Sequence, residues 1–184
     1  MTHAVMKQII EYINKSVAAN KGYAHIWSTQ ILWTWQWWFE LVLTIGPIII
    51  WFIFRKRDST GRLLYVGFFA LIIISWLDLL GNSYKFWYYP FKLIPTFPPF
   101  FPWDTLMSIE IMFLIQYKPT FSPWLKSITF GLVNAFVGEP VMKLLGLYVL
   151  VHWKHIYSFP VYIVIYLLAH RMAQSKTFDM LYEM

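Results

Sequence analysis

The chain contains no cysteine, which excludes disulfides, thiolate metal sites and cysteine nucleophiles. It is also poor in charge: Asp, Glu, Lys and Arg make up 13% of its 184 residues, where a soluble domain usually carries about 25%. A phosphate-cradling glycine loop, a G-x-S-x-G elbow, an H-E-x-x-H helix and an EF-hand loop are all absent, so soluble-style catalysis has no support. No Gly/Ser linker and no repeat with a period of about 20 to 50 residues divides the chain, and one domain over residues 1–184 is expected. The N-terminal stretch lacks a continuous apolar core followed by a small-residue cleavage site, so no removable signal peptide is expected.

What is abundant is apolar surface. Hydrophobic residues make up 59% of the chain, with 11 Trp, 12 Tyr and 16 Phe. That balance predicts lipid as the solvent, with rings anchored at the membrane interface. The net charge is +6. No basic run is interleaved with base-stacking aromatics, so the cations are assigned to topology and anionic lipid rather than to nucleic acid.

A helix needs about 20 mostly apolar residues to cross the hydrocarbon core. Stretches near that length fall at about 33–54, 63–81, 101–117, 128–151 and 155–172. The expected fold is therefore all-α: a polytopic membrane bundle of about five transmembrane helices. Between the first two, Arg55, Lys56, Arg57 and Asp58 cannot remain in hydrocarbon. Between the second and third lie Pro90, Pro95, Pro98, Pro99 and Pro102, each of which removes a backbone donor and disfavours helix in the residue before it. Pro102 can still open the third helix and Pro160 the fifth, where the lost N–H had no partner. The 82–100 stretch then reads as an aromatic, Pro-rich interfacial loop.

Lys and Arg set the orientation. One side receives Arg55, Lys56, Arg57, Arg62, Lys118, Lys126, Arg171 and Lys176; the other receives Lys85, Lys92, Lys154 and the N-terminal lysines. The bias predicts an N-out, C-in protein. Residues 1–30 place Val5, Ile9, Ile13 and Val17 at i+4 spacing, with Lys7, Glu11 and Lys15 largely elsewhere, which predicts an amphipathic helix on the bilayer surface.

An ionisable side chain within a bilayer costs about 2.5 to 3.5 kcal/mol on insertion scales, so each one calls for a reason. Gln36, Glu40 and Thr44 form one polar stripe, in which Glu40 is explained equally well by contact with water near the interface. Ser75, Asp78 and Asn82 share a face of the second span that must point into the bundle or toward a wet cavity. Asp78 is the strongest single candidate, against a packing hydrogen bond as its plain alternative. Asp104, in the first turn after Pro102, complements the helix dipole. Glu110, about 9 Å deeper at 1.5 Å per residue, has no such explanation and should be paired or protonated. Gly131, Ala135, Glu139 and Lys143 recur at i+4, so Glu139 and Lys143 can neutralise each other while Gly131 and Ala135 admit a neighbouring helix. Asn134 and Gly138 form a second face. Tyr162, Tyr166 and His170 read as interfacial anchors. His152 and His155 form a weak H-x-x-H pair without a third ligand nearby, so neither metal nor cofactor is expected.

The segments WLDLLGNSYKFWYYPF and FPPFFPWDTLMSIEIMFLIQYKP, with the Trp-rich first span and the RKRD loop, resemble a family of uncharacterised small multi-pass membrane proteins of spore-forming Firmicutes such as Bacillus and Clostridium. The resemblance implies a bacterial plasma-membrane protein and names no reaction. In a weaker likeness, Asp78, Trp87, Pro102, Glu110 and Phe113 are similar in order to membrane lycopene cyclase domains, although Trp103 and Asp104 stand where those domains carry paired acids after the proline.

The leading functional expectation is a small transporter or ion-pathway component, with Asp78, Glu110 and Glu139 converging on one cavity. The rivals are an intramembrane enzyme acting on a lipid or isoprenoid, and a structural or signalling partner of another membrane protein. So small a bundle also suggests a homo-oligomer.

Overall fold

Burial in the central helix recurs at Leu63, Val66, Gly67, Ala70, Ile74, Asp78 and Gly81, a helical spacing that gives it one continuous inward stripe. The computed structural model describes residues 3–95 and 102–175 and is mostly helical. The helices are α1 (His3–Ile26, continued by a wide π turn at Trp27–Ile31), α2 (Trp35–Phe54), α3 (Thr60–Ser83), α4 (Pro102–Gln116), α5 (Pro123–Val133), α6 (Glu139–Leu144) and α7 (His155–Ala173). A second π turn, Asn134–Gly138, joins α5 to α6 without a break. Residues Trp87–Tyr88 (β1) and Val149–Leu150 (β2) pair antiparallel.

The bundle is not packed in chain order. α4 lies between α2 and α3, and α7 lies between α3 and α5. Its core joins Leu63, Val66, Ala70 and Ile74 of α3 to Met107, Ile111 and Met112 of α4, Phe130 of α5, and Ile165, Tyr166 and Ala169 of α7. Small residues set the closest approaches. A Cβ on Gly67 would lie 2.2 Å from Met112 Sδ, and one on Gly131 would lie 3.1 Å from the Phe159 carbonyl oxygen. The outer faces carry exposed Val42, Ile49, Phe68, Ile72, Trp76 and Val164, the inverse of a water-soluble bundle and suited to lipid.

Three helical segments are long and apolar enough to cross a membrane: Trp35–Phe54, Arg57–Ser83 and His155–Ala173. The other two expected spans differ for physical reasons. The 15 residues of α4 rise about 22 Å at 1.5 Å each, short of a hydrocarbon core of about 30 Å. The fourth expected span, 128–151, shifts towards the N-terminus: Ser122 caps α5 with Pro123 in its first turn, and the helix ends at Leu144, leaving 145–151 to a turn and β2. Pro98, Pro99, the expected start of the third span at Phe101, and Lys176 lie outside the described residues.

α1 is helical, as its pattern predicts, and buries none of its residues. It meets the rest of the chain at its C-terminal end. The Tyr23 hydroxyl donates to the Pro90 carbonyl (3.2 Å), the Trp27 indole donates to the Lys92 carbonyl (2.7 Å), and the Lys92 ammonium sits 4.6 Å over the Tyr23 ring.

The bundle has two unlike ends. At the basic end, Arg55 to Asp58 join α2 to α3 and residues 117–122 join α4 to α5. At the acidic end, α3 leads into the 84–95 loop and α6 into the 145–154 loop. Both of those helices stop with the same pair of crossed hydrogen bonds. Phe86 N–H reaches Gly81 O (2.8 Å) and Lys85 N–H reaches Asn82 O (3.1 Å); Leu147 N–H reaches Met142 O (2.9 Å) and Gly146 N–H reaches Lys143 O (3.0 Å). This closure demands a left-handed residue, supplied by Gly146 at φ 74° and by Lys85 at φ 57°. It turns each chain back over the bundle, where β1 and β2 meet.

Candidate functional site

Those two returning loops roof a cavity. Glu40, Asp78 and Glu139 line it together with Trp87, Trp103, Tyr148 and Trp153. Glu40 is five residues inside the start of α2, while Asp78 and Glu139 lie five residues before the ends of α3 and α6. At 1.5 Å per residue, each acid sits about 7.5 Å below the acidic end of its helix. Neither Lys nor Arg is among the lining residues.

Each acid is held differently. Asp78 Oδ1 accepts from the Trp87 indole (2.8 Å) and the Tyr89 hydroxyl (3.1 Å). The indole is in reach because of Gly81: any Cβ there would fall 2.1 Å from the Trp87 ring. Behind Asp78 lies the buried carboxyl of Asp104, whose Oδ1 has no hydrogen-bond partner among the described residues. Asp104 Oδ2 accepts from the Ser75 hydroxyl (2.7 Å). Glu139 takes the imidazole of His155 on Oε2 and the Tyr162 hydroxyl on Oε1, both at 2.6 Å. Glu40 is 5% exposed, and its Oε2 has no hydrogen-bond partner among the described residues.

Outside the spans, burial shapes the roof. It pushes the Tyr23 hydroxyl up to about 12, assisted by the Glu40 carboxylate, and lowers Lys92 from its ordinary range. Burial likewise raises the Tyr148 hydroxyl, with the Glu139 and Asp78 carboxylates adding to it. Tyr148 and Tyr89 pack together, ring centroids 5.3 Å apart.

The sequence-derived candidates thus divide. Asp78, Glu139 and Glu40 gather at this cavity, with Asp104 behind Asp78 rather than in the lining. Glu110 does not: it lines a separate groove with Pro47, Phe54 and Lys56, and Asn134 Nδ2 donates to its Oε2 (2.9 Å). Lys143 is exposed, so the expected Glu139–Lys143 pair gives way to the shorter bonds from His155 and Tyr162. Asn82 is half-buried at the end of α3, where its carbonyl helps close the helix. Glu40, for which contact with water was an equal expectation, is buried instead.

His155, Tyr162 and Tyr148 are side chains that sequence reasoning passes over as site residues, while Trp87 and Tyr89 enter it only through the aromatic loop of the lipid-enzyme rival. His155 had been weighed only as half of a metal pair, and among the described residues no group of His, Asp or Glu is placed to hold a metal ion. The usable signal for Trp87 was Gly81, a missing side chain where a ring must lie. No protein-family model, curated protein or solved structure matches the chain.

Proposed function

We propose that the chain is a five-span protein of a bacterial plasma membrane, N-out and C-in, and that it is a small transporter or ion-pathway component working through the carboxylates of this cavity. The observation that carries the reading is the meeting of Glu40, Asp78 and Glu139 from three different helices in one cavity without a lining Lys or Arg. Packing alone calls for no such meeting, because each buried acid adds an insertion cost. His155 gives the cavity a route outward: its ring is 24% exposed while Glu139 behind it is 4% exposed. A proton arriving at the acidic end can therefore be handed from imidazole to carboxylate across a 2.6 Å contact.

Flux measured in proteoliposomes with an internal pH dye tests the proposal. Glu139→Gln and Asp78→Asn are each expected to lower the rate tenfold or more. Equal rates for wild type and both variants would overturn it.

The aromatic and apolar walls favour one second reading, an intramembrane enzyme in which an acid protonates a lipid or isoprenoid and the rings stabilise the resulting cation. Lipid extracts of cells with and without the protein discriminate, since a transporter leaves no new lipid species.

A further inference from the structure

We propose that the cavity binds an organic ammonium ion, a protonated amine or quaternary ammonium with an apolar body, with Glu40 as its counter-charge. The inference rests on reading the cavity as a cation site and names the class of cation.

Glu40 is the first observation. The carboxylates of Asp78 and Glu139 are already engaged by Trp87, Tyr89, His155 and Tyr162. Glu40 lines the same space, is just as buried, and has an oxygen without a partner among the described residues. A buried, unsatisfied carboxylate is costly, and a bound cation supplies the partner the protein does not.

The walls decide which cation. A hard divalent ion takes about six to eight oxygen ligands, whereas most carboxylate oxygens here already accept bonds and much of the remaining lining is Leu43, Ile74, Met107, Met142 and Ile165. Such a surface offers nothing to a bare metal ion and suits methylene and methyl groups. Trp87, Trp103, Tyr148 and Trp153 add aromatic rings, the kind of side chain that attracts a desolvated ammonium group.

The test uses the full chain in detergent, titrated with benzyltrimethylammonium, with its uncharged carbon isostere neopentylbenzene, and with potassium chloride, reading tryptophan fluorescence and calorimetric heat. Saturable binding is expected for the ammonium alone. Glu40→Gln, nearly isosteric, is expected to weaken it at least tenfold, and Glu110→Gln to leave it unchanged. If Glu40→Gln fails to elute as a single folded species, Glu40→Asp takes its place, with weakened but measurable binding expected. Absence of saturable binding to the wild type, equal binding of the neutral isostere, or unchanged affinity in the Glu40 variant that folds would each overturn the proposal. Proteoliposome flux separates this failure from that of the transport reading. Ammonium binding without flux sinks transport and leaves the site standing; proton flux without ammonium binding does the reverse.

Discussion

The basic and acidic ends of the bundle handle buried polarity in opposite ways. At the basic end, Lys126 is buried, and its ammonium donates to the carbonyls of Leu114, Tyr117 and Lys118 at 2.7, 2.6 and 3.0 Å. Gln116 reaches the Phe54 carbonyl (3.2 Å), and Arg55 bonds the carbonyl of Phe52. These donors meet the orphan carbonyls where α2 and α4 finish, the negative ends of their dipoles. At the acidic end, Asp78 and Glu139 sit more than a turn inside the ends of α3 and α6, and they draw on side chains instead, Asp78 on Trp87 and Tyr89 of the returning loop and Glu139 on His155 and Tyr162 of α7. The difference separates architecture from function. Charge that is saturated by backbone closes a helix, while a buried carboxylate with an oxygen left unpartnered among the described residues, as in Glu40, marks where a ligand belongs.

The comparison can be broken from the basic end first. Lys126→Met strips donors from three carbonyls and is expected to cost about 3 kcal/mol, at about 1 to 3 kcal/mol for each unsatisfied group with water recovering part of it. The readout is a lower thermal midpoint in detergent, with ammonium binding by the remaining folded protein unchanged. At the acidic end, Gly81→Ala forces a methyl into the Trp87 ring and is expected to cost about 2 kcal/mol. Unlike the lysine variant, it should also weaken binding, because the indole that holds Asp78 is displaced.

A smaller effect involves pH. The Tyr23 hydroxyl ionises at about 12 rather than 10.0, so the folded state keeps a proton that the undocked chain loses. Docking of α1 through Tyr23 is therefore fully supported below pH 10 and weakens as pH rises from 10 to 12. Protease cleavage near residue 25 across that range should rise in the wild type, and this tyrosine-dependent part of the rise should vanish in Tyr23→Phe. The smallest change is Lys85→Gly. Relieving a left-handed lysine, it is expected to stabilise by up to about 1 kcal/mol, while the equivalent position after α6 already holds Gly146 and has nothing to gain.

The sequence disclosed the three long apolar helices because hydrocarbon thickness sets a length that apolar runs either meet or miss, but it misplaced the bounds around α4 to α6. It disclosed the acids as sites needing a reason because their burial is expensive wherever they fall. It could not rank Glu40 above Glu110. That depends on α4 packing between α2 and α3, an order no periodicity encodes, which directs Glu110 to Asn134. Nor could it find the roof. β1 pairs with β2 from about 60 residues away, and Trp87 and Tyr148 enter the cavity only through that pairing. The i+4 reading of Glu139 and Lys143 was sound as local geometry and lost to a stronger pair of partners on α7.

The wide turn at Asn134–Gly138 amounts to one extra residue stored in an otherwise regular helix. Were the same number of residues to run straight through as regular α-helix, everything beyond the turn would rotate by about 100°, leaving Asn134 on Glu110 but swinging Glu139 off His155. Such a chain would be as greasy and as able to enter a bilayer, yet its cavity would have lost an acid. Whether a related chain keeps this turn, more than its composition, is therefore the measure by which it should be judged to share the site.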